Sequence, residues 1–225
     1  MFRRTGPPLW LHMPTATADT ARIEALSDGV FAVAMTLLII DIRVPDLALG
    51  PGMPELGRAV LQLWPHFASY AVSFLIVGLY WVSHHLLFDL IRRADRGLMW
   101  INLLFLLFVV VIPFSTALLS RYHDNRFAVF FYGGNLILVG LALQTLWTYA
   151  TTNHRLVDRE LAAHTIRLGT VRLMAVPLIG VLAMTLTLIR VPLGIAVYVT
   201  LLLAYSWPGP WTPYWAMKPE ENAEG

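Results

Sequence analysis

The sequence predicts an all-α polytopic membrane protein with six transmembrane helices per subunit, and three observations carry that prediction. Hydrophobic residues make up 57% of the chain and charged residues 13%, against about 25% charged in an ordinary soluble domain. The apolar residues fall in long blocks, most of them near or above the ~20 residues a helix needs to cross a ~30 Å hydrocarbon core. Those blocks leave no room in 225 residues for a sizeable soluble domain.

Taken in order, the predicted spans are 22–42, 61–88, 98–119, 127–149, 168–189 and 191–207. Residues 1–21 precede them as a cytoplasmic N-terminal arm, residues 22–207 form the six-helix transmembrane domain, and residues 208–225 form a C-terminal tail. In the arm, Arg3-Arg4 is followed by Gly6-Pro7-Pro8 and polar residues, without the apolar core of a signal peptide, so it reads as a short disordered or interfacial arm. The stretch PDLALGPGMP, 45–54, is rich in proline and glycine and predicts an outer loop after the first span. Residues 121–126 form a tight polar turn, and 151–167, charged and free of proline, predicts a prolongation of the flanking helices into the cytoplasm. Arg190-Val191-Pro192 joins the last two spans almost without a linker and predicts an antiparallel hairpin, with Pro192 in the first turn of the final helix. The aromatic and proline-rich tail WPGPWTPYW suits a membrane interface.

Charge placement orients the chain in the bilayer. With both termini cytoplasmic, eleven of the sixteen Lys and Arg residues lie inside, which the positive-inside rule favours, and the span count is even. A net charge of +2 without a basic run gives no footing for nucleic acid. The absence of cysteine excludes a disulfide framework, an iron–sulfur cluster and a thiolate zinc site. There is no His-Glu-x-x-His, no Gly-x-Ser-x-Gly and no phosphate-cradling glycine loop, so the chain carries no enzyme signature and implies no cofactor. Adjacent His84 and His85 point about 100° apart on a helix and have no evident third ligand, which predicts an interior histidine rather than a metal site.

The first span is unusual. Only Thr36 is polar among the twelve residues between Asp28 and Asp41, a stretch of roughly 18 Å. On a helix, Leu26, Val30, Val33, Leu37, Ile40 and Val44 fall within an arc of roughly 80°. Asp28 stands nearly opposite, with Ala32, Met35 and Ile39, and Thr36 lies on the flank between. A charge in hydrocarbon costs about 2.5–3.5 kcal/mol on insertion scales, so Asp28 requires protein or water around it. Arg22, Trp81, His84, His85 and Asp89 are its candidate neighbours. The first span is therefore predicted to be an inner helix screened by the others.

The run from Arg22 through Ser27-Asp28-Gly-Val-Phe31 to Thr36 and Asp41 resembles the first-helix signature of the transmembrane protein 175 family, the lysosomal potassium channel and its prokaryotic relatives. The likeness extends to Trp81-x-x-His84-His85 and to Trp100-Ile-Asn102 at the start of the third span. It implies a homotetramer in the cell membrane that conducts potassium ions, with the first helix of each subunit lining a central pore. It further implies an aliphatic constriction at Val33, Leu37 and Ile40. A supporting polar network would comprise Arg22, Ser27, Asp28, Thr36 and one of His84 and His85. No TVGYG-like carbonyl filter occurs in this sequence. Leu26 stands where the family has phenylalanine and Val33 where isoleucine is common, which shifts packing at the inner mouth and the width of the first ring.

Two other functions compete. A proton-conducting channel would use Asp28, His84 and His85 as a relay past a dry constriction. A small secondary transporter would show repeated halves or helices broken near mid-membrane. Pro113 and Pro177 are possible break points, but the first-span pattern has no second copy.

Overall fold

The apolar blocks become helices whose ends coincide with capping side chains, prolines and polar turns. The computed structural model describes residues 20–45 and 52–206. Most of the N-terminal arm, residues 46–51 of the outer loop and the aromatic tail lie outside the described residues.

The elements in chain order are α1 (Thr20–Ile40), α2 (Met53–Leu61), α3 (Trp64–Leu90), α4 (Arg96–Arg121), α5 (Arg126–Thr151), a one-turn 3-10 helix (Thr152–His154), α6 (Ala163–Ile189) and α7 (Val191–Ser206). Asp95 starts α4 by accepting from the Leu98 N–H at 2.8 Å, and Asn125 starts α5 by accepting from the Phe127 N–H at 2.8 Å. The long helices α1, α3, α4, α5 and α6 are apolar and long enough to cross a membrane, while α7 is a shorter apolar helix. Among the described residues there is no strand, only an isolated antiparallel bridge between Ile91 and Val157. The chain is an all-helical, multi-pass membrane protein.

Two segments depart from the sequence expectation. The second span does not begin at residue 61: a separate short helix, α2, ends at Leu61, and α3 starts at Trp64. Pro54 and Pro65 each sit in a first turn, where a missing N–H costs nothing, so each starts a new helix instead of continuing one. The connection after α5 also does not prolong the helices. Asn153 and His154 adopt left-handed backbone with φ of 52° and 51°, which stops the helix. The chain then folds back beneath the α3–α4 loop, where the Leu156 carbonyl accepts from the Arg92 and Arg93 N–H groups at 2.9 and 3.2 Å. Leu156 and Val157 are buried there, so apolar burial anchors the connection.

Pro113 and Pro177 lie inside unbroken helices. Each forfeits one backbone bond, which neighbouring helices make tolerable in a membrane. Pro177 packs against Gly140 of α5, where a Cβ would stand 3.2 Å from its Cδ. Helix α5 is the most enclosed of the long helices, packed between α4 and α6, and α7 folds back on α6 as the short Arg190 connection requires. Its Trp147 is fully buried, donates to the Ile166 carbonyl at 3.3 Å, and is approached closely by Gly169. Helix α1 packs against α3 and α4. Among the described residues it is thus held on one side.

Candidate functional site

At 21 residues α1 is about 31 Å long, because helix begins at Thr20, well before Asp28. The short apolar stretch is the middle of a full-length span. Its buried side is Ile23, Ser27, Phe31, Ala34 and Leu38, spaced three or four residues apart as one helix face requires, against α3 and α4.

On that buried side the polar residues form a chain. Ser27 Oγ donates to the Ile23 carbonyl at 2.8 Å and accepts from Asn102 Nδ2 at 3.1 Å. Asn102 Oδ1 then lies 2.9 Å from His84 Nε2, so with Nδ2 committed to Ser27 the imidazole donates from Nε2. His84 is enclosed by Phe88, Phe105 and Phe31, with ring centroids at 4.4, 5.4 and 6.1 Å. Ser27, His84 and Asn102 are at most 2% exposed. The chain satisfies three buried polar groups and ties together α1, α3 and α4, an arrangement that is costly to leave half made.

Asp28, one residue on, turns to a different flank. It is exposed and accepts from Trp81 Nε1 at 2.8 Å. His85 stacks on that indole at 5.9 Å and is itself exposed, so the two histidines separate as helical geometry requires. Asp28 and Trp81 border an open groove of about 610 Å³ between α1 and α3, lined further by Ala32, Met35, Phe74 and Gly78. Arg22 is exposed at the start of α1 and, among the described residues, forms no ion pair with Asp28. Thr36 is exposed and donates back to its own helix, at the Val33 and Ala32 carbonyls (2.9 and 3.0 Å). The predicted network is therefore divided into Ser27 with His84, and Asp28 with Trp81 and its neighbour His85. Sequence reasoning did not assign Asn102 to it, although a lone amide inside an apolar span was the available signal.

Val33, Leu37 and Ile40 are 55%, 45% and 67% exposed, and Leu26 and Val44 continue the same exposed stripe. Their helix is supported behind and bare in front.

Two ion-paired clusters mark the ends of the bundle. Asp41 Oδ1, just past α1, is 3.2 Å from Arg121 Nη2 at the end of α4. At the opposite end of α4, Asp95 accepts from the Tyr149 hydroxyl at 2.9 Å and from Arg155 Nε at 3.2 Å, with the guanidinium 4.5 Å above the Tyr149 ring. Burial pushes the Asp95 carboxyl up, but the Leu98 N–H, the Tyr149 hydroxyl and the Arg155 guanidinium outweigh it and hold it below the ordinary carboxylate value. Among the described residues no group of three or more His, Asp or Glu side chains is arranged to hold a metal ion.

This geometry can be set beside known proteins. The family model described as endosomal/lysosomal potassium channel TMEM175 matches residues 22–113, the segment that carries α1, Trp81, His84 and Asn102. A potassium channel of Streptomyces collinus is 39% identical over 191 residues, covering 83% of this chain and 91% of the relative. The crystal structure of a lysosomal potassium-selective channel TMEM175 homolog from Chamaesiphon minutus superposes with a TM-score of 0.73 at 33% identity, covering 83% of this chain and 95% of the other. The endosomal/lysosomal proton channel TMEM175 of Bos taurus is 36% identical over 149 residues, which are 62% of this chain but 30% of the bovine protein. With the near-complete coverage of the bacterial relatives, this chain belongs to the TMEM175 family.

Proposed function

We propose that the chain is a potassium-conducting channel of the cell membrane, not an enzyme, in which four copies place α1 around a central axis. Both termini are cytoplasmic in this reading, and potassium is the permeant ion rather than a bound cofactor. One observation carries the reading: α1 buries and hydrogen-bonds one side against its own subunit while Val33, Leu37 and Ile40 remain exposed on the other. One such helix encloses nothing, whereas several copies around an axis line a path and build rings of branched side chains that gate by excluding water. Thr36, exposed and bonded to its own backbone, belongs with this surface rather than with the buried network. The names of the bacterial relatives support potassium as the ion.

A proton relay through Asp28, His84 and His85 is less well supported, because Asp28 and His85 meet at Trp81 while His84 is enclosed by phenylalanines and bonded to Asn102. Purified protein in planar bilayers tests the choice. The reversal potential is expected to follow an imposed potassium gradient, and a reversal potential that follows only a pH gradient would overturn the potassium reading. Native mass spectrometry is expected to give a tetramer, and monomers and dimers alone would count against the shared axis. Reporter fusions at Gly50 and Gly225 are expected on opposite sides of the membrane.

A further inference from the structure

Asp41 follows Ile40, the last helical residue of α1, and its carboxylate meets the guanidinium of Arg121, the last residue of α4, at 3.2 Å. The pair is open to solvent, the Arg121 side chain being 53% exposed and that of Asp41 24%. It stands about 21 Å along α1 from the Ser27–Asn102 bond, at the other end of the helix. An exposed ion pair of this kind contributes about 0–1 kcal/mol to stability, so holding the fold together is a poor account of it.

We propose that Asp41 and Arg121 form a charge-compensated collar at one mouth of the conduction path, in which Arg121 sets how much of the Asp41 carboxylate an entering cation feels. The proposal rests on α1 lining that path. Asp41 is the residue next to Ile40, the last exposed aliphatic position within α1 itself, so each subunit brings one carboxylate to the end of the helical lined segment. A ring of carboxylates raises the local cation concentration and the rate of entry. The guanidinium beside each one cancels most of that field at a distance. Arg43, exposed two residues further on, adds a second positive charge on the same end of the chain. The neighbouring carboxylate of Asp124 faces His123 at 3.3 Å and is not part of the pair. Arg121 is therefore a residue that sets conductance through Asp41 and not through contact with the ion.

Charge and structure separate by salt and by sign. The reach of a charge, set by the Debye length, is tens of ångströms at low salt but only about 3 Å at 1 M, so an electrostatic collar acts in dilute potassium and fades in concentrated potassium. The chain has no cysteine, so Arg121→Cys gives a single labelling site. That protein can be folded, assembled and checked before its charge is changed. Wild-type potassium current is recorded first in bilayers. A negatively charged thiosulfonate at position 121 is then expected to raise single-channel conductance about twofold at about 20 mM potassium. A positively charged one is expected to return it to the wild-type value, with both differences gone near 1 M. Asp41→Asn is expected to lower conductance in the dilute solution, with that difference also gone near 1 M. Labels of opposite charge acting in the same direction, or effects that persist near 1 M, would overturn the collar and leave the pair a mechanical tie. Wild-type protein without potassium current defeats the channel reading itself, and is seen before any variant is tested.

Discussion

Asn102 of α4 donates to Ser27 of α1 across 3.1 Å, and this bond attaches the exposed helix to the rest of the bundle in the part of the helix that carries Asp28. Through its other atom Asn102 also accepts from His84 of α3, so one amide fixes three helices. Replacing it with leucine preserves volume but leaves the imidazole N–H of His84 buried without an acceptor. The expected cost is about 1–3 kcal/mol, read as a lower thermal midpoint in detergent. His85→Ala, at an exposed ring, is expected to change the midpoint much less. Equal effects would mean that the buried chain adds nothing.

Among the described residues Asp28 accepts a hydrogen bond from Trp81 at 2.8 Å. Asp28→Asn retains an acceptor for that indole, whereas Asp28→Ala does not. Assembly followed by size-exclusion chromatography is expected to fall in the order wild type, Asp28→Asn, Asp28→Ala. Asp41→Ala, at the solvent-exposed pair with Arg121, is expected to assemble like wild type. Indistinguishable assembly of Asp28→Ala and Asp41→Ala would reject a supporting role for the Asp28–Trp81 contact.

Val33, Leu37 and Ile40 can be probed one at a time by introducing cysteine. A small charged thiol reagent is expected to block potassium current at these three positions. At Ala34 and Leu38, which are 0% and 3% exposed on the packed side, it is expected to have no effect. If these residues form the proposed constriction, Leu37→Ala and Ile40→Asn widen or wet it and are expected to raise leak and weaken discrimination between potassium and sodium. Block that follows positions 34 and 38 would mean the helix faces the other way.

Asp95 gives a prediction in pH. Its carboxyl is held below the ordinary value in the folded protein, so its contribution is fully present above the unfolded value of about 3.9 and is lost as pH falls through the folded one. Wild type is expected to be more stable than Asp95→Asn at neutral pH, with the two converging below about pH 4. Gly97→Ala is expected to weaken the same cluster, because its new Cβ would collide with the Tyr149 hydroxyl that donates to Asp95. Parallel pH profiles for wild type and Asp95→Asn would remove Asp95 from the account.

The long apolar blocks determined the helices, since backbone polar groups in lipid must be satisfied within each segment and only helix does so locally. The same local logic made the aliphatic stripe from Leu26 to Val44 legible, because a 3.6-residue period fixes which side chains share a face. Which face was covered was not legible. Only the packing of α3 and α4 decided that Phe31, Ala34 and Leu38 are enclosed while Val33, Leu37 and Ile40 are bare. Sequence brought Ser27, Asp28, His84 and His85 together as one group. Tertiary structure divided them, because adjacent residues on a helix diverge by about 100° and a single packed neighbour, Asn102 or Trp81, captures each direction. The fold-back of Leu156 under Arg92 and Arg93 and the pairing of Asp41 with Arg121 join residues 64 and 80 positions apart. Contacts of that range depend on where whole helices end in space, which no local period in the chain encodes.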